Sequence, residues 1–317
     1  MKNIKVNFLT KRIIFFGMIG IRFLLAQLSD ETNEDNISKK WLNINYAGDD
    51  LTGHLLDIYL PVKGEAPYPV VITVAGSAFF SDSSKHWAFA IGKPLLKYGF
   101  AIVATNHRSS RKAIFPAHVN DLKGVVRFLR ANAARYGLDT TFIGIAGNSS
   151  GGNLSAMMGA SGGVKNYTIG NKTVSIEGDI GGNTSESSRV DAVADWYGPT
   201  AFEKMDSCGS EMVHDAPDSP ESVYIGGPIQ DNPDLCKLAN PITYVDESDP
   251  PFIIIHGDKD PLVPHCQSVL LFDALKKSSV ACKMITAPGG GHGGKWEAEY
   301  RQKMVSFFIE TMNKNRQ

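Results

Sequence analysis

The sequence predicts an α/β fold in which a mostly parallel central sheet carries helices on both faces. Three observations point there. Strand-like and helix-like segments alternate along the chain, the pattern of repeated β-α-β units. Residues 142–146 and 251–255 are continuous apolar runs, as strands buried on both faces of a parallel sheet must be. The longest helix-like segment carries apolar residues three and four apart.

Taken in order, residues 55–60 and 69–74 read as strands, residues 85–98 as a helix and residues 100–105 as a β-branched strand ending at Asn106. Residues 116–136 repeat apolar side chains at Val119, Leu122, Val125, Val126, Leu129 and Ala133, and Pro116 suits a helix start. Residues 141–146 form a buried-type strand, and 150–159 a helix of small residues. Residues 190–196 and 251–256 are further strands, 266–277 a helix, 281–286 the last strand and 295–312 the last helix. Two polar, Gly-containing insertions, near 161–188 and 200–240, flank the strand at 190–196. Loops of that length in a compact domain are functional or disordered.

Of the 317 residues, 43% are hydrophobic and 21% charged, which is enough to bury a core without a metal or disulfide staple. The formal net charge of −1 lacks the basic surplus of a nucleic-acid binder, so no nucleic-acid partner is expected. The N-terminus differs from the rest. Lys2, Lys5, Lys11 and Arg12 precede an apolar run over 13–21, and the chain turns polar from Gln27. Residues 1–26 therefore read as a secretory signal, 27–40 as a polar leader and 41–317 as one domain. The apolar run is short for a bilayer, so export to the periplasm or the exterior, with no stable membrane span after processing, is the expectation. A tethered or disordered leader is the alternative. Export would suit a disulfide. Cys208 and Cys236 share one insertion and are the expected pair, against the alternative of four reduced thiols, with Cys266 opening a helix and Cys282 a strand.

Gly147-Asn148-Ser149-Ser150-Gly151 is a G-x-S-x-G motif between a predicted strand and a predicted helix. A turn that tight tolerates little beside the Ser, and glycine at both outer positions removes the clash. The hydroxyl then stands at a helix N-terminus, where developing negative charge is favoured. The frame around Ser150 fails on one side, so Ser149 is the candidate nucleophile. A serine hydroxyl needs an adjacent base, itself oriented by a third group.

Beyond the insertions three histidines follow Ser149. His256 ends a buried strand and reads as structural, and His265 as a cap or surface residue. His292 lies in a glycine loop, 289–294, directly after the last strand, and is the candidate base. The acid lies in the turn 256–264. Asp258 follows the strand immediately and shapes the turn, and Asp260 is the candidate that holds the imidazole in one tautomer. The oxyanion donors should be the backbone N–H of Ser150 and those of the loop after residues 69–74, Ser77 first and Ala78 second.

From Leu55 onward these residues resemble the α/β-hydrolase superfamily. More narrowly, they resemble feruloyl-esterase-type and acetyl-esterase-type carbohydrate esterases, and hormone-sensitive-lipase-like esterases. The motifs that carry the resemblance are Gly147 to Gly152, His256 to Pro264 and Gly291-His292-Gly293, with Asn106-His107-Arg108 where such families carry a Tyr-Arg turn. Asp195-Trp196-Tyr197-Gly198-Pro199 is similar to their strand-end segment beside the pocket. The chain departs from them at the oxyanion loop, where Ala75-Gly76-Ser77-Ala78 replaces His-Gly-Gly-Gly. The resemblance implies a serine esterase acting through an acyl-enzyme on acetyl or feruloyl groups of an acylated polysaccharide, or on a small-molecule ester, with no metal or organic cofactor. Phe79, Trp196 and Tyr197 are the candidate pocket aromatics. A peptidase or amidase of the same fold, and a non-catalytic binding module on this scaffold, are the competing readings.

Overall fold

The computed structural model describes residues 36–316. The expected signal, 1–26, and the leader up to residue 35 lie outside the described residues. In chain order the strands are β1 (Ile37–Asn45), β2 (Leu55–Pro61), β3 (Tyr68–Val74), β4 (Ala101–Thr105), β5 (Leu138–Asn148), β6 (Asn166–Ile169), β7 (Lys172–Ser175), β8 (Ala192–Trp196), β9 (Phe252–Gly257) and β10 (Cys282–Ala287). All but β6 and β7 form one sheet, in the order β1-β2-β4-β3-β5-β8-β9-β10. Within it only β2 runs against the others: it pairs antiparallel with β1 and β4, and every pair from β4 to β10 is parallel.

The strand period of two divides the core into two layers. In β9, Phe252 and Ile254 face the layer that holds Leu122, Val126 and Leu154, while Ile253 and Ile255 face Leu95, Met304 and Phe308. Helices Ala117–Ala131 and Ser150–Ala160 cover the first face, and helix Glu297–Asn315 closes the second. The helix expected over 85–98 is an α-helix, Lys85–Gly92, continued as a 3-10 turn, Lys93–Tyr98. Pro94 lacks the N–H that would continue the α ladder. The segment 116–136 likewise divides at Asn132.

Two expectations, the start of the domain and the disulfide, need correction, and the two insertions hold elements of their own. Residues 37–40, placed in the leader, belong to β1. Its outward lysines suit an edge strand and hid the apolar alternation, so the domain begins before residue 41. The insertion near 161–188 holds the β6–β7 hairpin, and that near 200–240 holds helices Pro220–Ile225 and Pro233–Leu238. The disulfide joins Cys208 to Cys266, not to Cys236, with Cα atoms 6.3 Å apart. Cys236 is buried within its own short helix and its thiol donates to the Ile229 carbonyl. Cys208 instead meets the start of helix Cys266–Lys277, 58 residues further on.

Because β3, β5, β8, β9 and β10 are parallel, their C-terminal ends share one edge of the sheet. The candidate nucleophile, acid, base and oxyanion motifs each follow one of those ends, and ligands of open α/β sheets bind in the crevice there.

Candidate active site

Ser149 joins β5 to helix Ser150–Ala160 at φ 54° and ψ −127°, a left-handed conformation that costs a non-glycine residue about 1–3 kcal/mol. The surroundings hold it there. Its N–H donates to the Trp196 carbonyl at 2.9 Å, and its own carbonyl accepts from Gly152 and Asn153. A Cβ on Gly147 would lie 2.1 Å from the Gly151 carbonyl oxygen, and one on Gly151 2.2 Å from that of Val74. Both glycines are therefore required by close backbone approach.

The loop after β10 brings His292 Nε2 to 3.0 Å from Ser149 Oγ. On the other side of the ring, Nδ1–H donates to Asp260 Oδ2 at 2.7 Å. Asp260 Oδ1 accepts from the amides of Leu262 and Val263, at 2.9 and 3.0 Å. Burial pushes the Asp260 carboxyl up, but hydrogen bonds from His256 and His292 outweigh it and hold the group well below the usual carboxylate range. Asp258 accepts from the Gly289 amide at 2.7 Å and so ties the acid turn to the histidine loop.

The oxyanion loop reverses the expected order of donors. Ser77 N–H is taken by Ser150 Oγ at 2.9 Å, and Gly76 N–H by Asn148 Oδ1 at 2.8 Å. Residues 77–80 close a turn, Phe80 N–H to the Ser77 carbonyl, whose central residues Ala78 and Phe79 have φ of 52° and 63°. Two consecutive positive φ values mark a type I′-like turn. The amides of Ala78 and Ser150 meet no acceptor among the described residues and both residues line the cavity beside Ser149. Ala78, not Ser77, is the second donor this geometry offers.

The cavity above Ser149 measures about 360 Å³ and is walled by Phe79, Phe80, Trp87, Trp196, Met212 and Leu262 among others. Phe79 is stacked on Tyr224 with ring centroids 4.0 Å apart. Trp196 borders the cavity but is almost wholly buried, and its indole N–H reaches Met304 Sδ. Tyr197 is a correction. It is fully buried behind the wall, with its ring edge-on to His292 at 4.9 Å. At φ 43° Tyr197 has left the strand conformation, and its ring packs with that of Trp196 in the layer that faces the last helix.

Sequence reasoning missed the polar part of the wall. The 200–240 insertion contributes Met212 and the buried pair His214 and Glu221, Nδ1 to Oε2 2.8 Å. Burial alone would lower the His214 pKa, but Glu221 raises it. Glu297 and Arg301 enter from the last helix. No motif marks His214, Glu221, Glu297 or Arg301. Among the described residues no cluster of three or more His, Cys, Asp or Glu side chains could hold a metal.

The BD-FAE family profile matches residues 56–275. Esterase LipQ of Mycobacterium tuberculosis is 30% identical over 75% of the chain and 53% of its own length. The chain thus spans about half the length of the curated relatives it matches. A solved structure described as a truncated carbohydrate esterase from gut microbiota is 46% identical, with a TM-score of 0.84 over 88% of this chain and 98% of that one. A bifunctional GH43-CE protein of Bacteroides eggerthii is 48% identical, with a TM-score of 0.82 over 88% of this chain and 36% of that one.

Proposed function

The chain belongs to the BD-FAE family, its domain is that of a carboxylic ester hydrolase with the α/β-hydrolase fold, and from that premise we propose that it removes short acyl groups, acetyl or feruloyl, from a carbohydrate. The observation that carries the proposal is the continuous contact from Ser149 through His292 to Asp260 at the floor of an apolar cavity. In this reading His292 Nε2 takes the Ser149 proton as Oγ attacks the ester carbonyl. The oxyanion accepts from the Ser150 and Ala78 amides. The imidazolium then gives its proton to the departing sugar hydroxyl, and water, deprotonated by the same ring, releases the acid.

Two solved carbohydrate esterases at 46% and 48% identity support a carbohydrate ester as substrate. The aromatic walls favour an aromatic or short aliphatic acyl group. Export belongs to the same proposal. It rests on the N-terminal sequence, and the Cys208–Cys266 disulfide supports an oxidising compartment.

The test is hydrolysis of p-nitrophenyl acetate, butyrate and octanoate, of methyl ferulate and of acetylated xylan, by wild type and Ser149→Ala. Turnover of the short or feruloyl esters and of the xylan that vanishes in the variant is expected. Turnover unchanged by the substitution would overturn the Ser149 mechanism, and inactive xylan beside active small esters would overturn the carbohydrate assignment.

A further inference from the structure

The end of β5, the last helix and the histidine loop converge on the Tyr197 ring, and the oxyanion loop is reached through the first. Tyr197 Oη donates to Glu297 Oε1, on the first turn of the last helix, and accepts from Asn148 Nδ2 at 3.0 Å. Asn148 Oδ1 in turn accepts the Gly76 amide at 2.8 Å. The directions are mutually consistent. A carboxylate oxygen that accepts from the phenol leaves the phenol oxygen to accept from the amide NH₂, which fixes the Asn148 side chain with its carbonyl toward Gly76. Gly76 immediately precedes the turn that carries the Ala78 donor. It cannot move closer to the elbow, because even a Cβ there would lie 2.6 Å from Ser149 Cβ. The same Tyr197 ring stands edge-on to the imidazole of His292 at 4.9 Å. Tyr197 is held at φ 43°, a left-handed conformation for a bulky residue that persists only where the surroundings impose it.

We propose that Tyr197 is a positioning residue that sets the oxyanion loop and the catalytic imidazole relative to one another, with Glu297 fixing its hydroxyl and Asn148 transmitting the constraint. This rests on the esterase reading above. It also accounts for how Ala75-Gly76-Ser77-Ala78 forms a rigid oxyanion loop. The two residues flanking the nucleophile, Asn148 and Ser150, hold the Gly76 and Ser77 amides, so the loop is fastened at two successive positions.

The experiment compares wild type with Tyr197→Phe, Asn148→Ala and the double variant on p-nitrophenyl acetate, with Ser149→Ala as the control. Tyr197→Phe keeps the ring and removes only the hydroxyl. Its kcat should fall about tenfold to a hundredfold with KM within about threefold, because a misplaced oxyanion donor weakens the transition state and not substrate binding. Its affinity for a phosphonate that mimics the tetrahedral state should fall in parallel. The double variant should be no worse than the weaker single variant, as expected of residues acting as one unit. Tyr197→Phe with unchanged kcat, a loss confined to KM, or strictly additive losses would each overturn the positioning role. Should Tyr197→Phe fail to fold, Glu297→Gln decides by the same split between kcat and KM. Wild-type turnover that survives Ser149→Ala would sink the esterase reading instead, so the two failures are distinguishable.

Discussion

His256 Nε2 stands 3.3 Å from Asp260 Oδ2, the same oxygen that accepts from His292 Nδ1 at 2.7 Å. The acid therefore sits between two histidines. His256 Nε2–H also reaches the Val263 carbonyl at 2.9 Å and Nδ1 lies 2.7 Å from Ser268 Oγ, which makes it a buried brace of the acid turn. Replacing Asp260 by Asn puts a donor where His292 also donates and favours the wrong tautomer. Asp260→Asn should lower kcat by about 10⁴-fold at neutral pH with little change in KM. A variant within about tenfold of wild type would show that the imidazole is oriented by something else.

Gly76 has no room for a side chain. A Cβ there would lie 2.6 Å from both Ser149 Cβ and the Asn148 carbonyl oxygen, and the latter is backbone that cannot move aside cheaply. Gly76→Ala should push the oxyanion loop off the elbow. The loss of one well-placed oxyanion donor costs about 2.7–4 kcal/mol of barrier, so kcat should fall by about 10²–10³-fold. The measurement is kcat alongside thermal unfolding. A folded Gly76→Ala protein with wild-type kcat would contradict the loop's role.

Much of this arrangement was legible because the chemistry imposes spacing. Gly147 and Gly151 frame Ser149 where close backbone approach leaves no room for a side chain, and the glycine loop around His292 follows the last strand in chain order. The parallel strands were equally plain from their unbroken apolar runs. What stayed hidden depends on distances or directions that no local pattern encodes. The partner of Cys208 lies 58 residues away across the fold, while the nearer Cys236 is committed to its own helix. The choice of Ala78 over Ser77 turns on two positive φ values carried by Ala78 and Phe79, neither of which is a residue that announces such a turn. Strand β1, studded with lysines, reads as solvated chain until its partner β2 is in place.

The disulfide fastens the wall of the cavity. Cys208 lies shortly before Met212 and His214, and Cys266 begins the helix that follows the acid turn. Closing a loop of this length contributes about 4 kcal/mol in the chain-entropy picture. The double variant Cys208→Ser/Cys266→Ser should lose about 2–4 kcal/mol in denaturant titration and raise KM more than it lowers kcat, since the wall moves while the triad stays. Thiol titration of the unfolded, unreduced protein should count only Cys236 and Cys282. Reactivity at Cys208 and Cys266 as well would show that the bridge does not form.

Asp195, at the C-terminal end of β8, is a buried carboxyl whose Oδ1 accepts from the Gly198 amide and whose Oδ2 has no partner among the described residues. Burial pushes its pKa up to about 7. In the unfolded chain the same group titrates near about 3.9. Between about pH 4 and pH 7 the folded protein therefore keeps a proton that the unfolded chain has lost, and linkage makes this group's contribution to stability fall as pH rises through that window. Asp195→Asn keeps the acceptor for Gly198, supplies a neutral donor in place of the protonated oxygen, and removes the titration. Its stability relative to wild type should rise from pH 4 to pH 8 by on the order of a few kcal/mol, because each tenfold difference in proton affinity between the folded and unfolded chain is worth about 1.36 kcal/mol. Denaturant titration of both proteins across that range reads the difference directly. Parallel curves would mean that Asp195 is ionised in the folded protein near pH 4, with its unpartnered oxygen satisfied by a donor outside the described side chains.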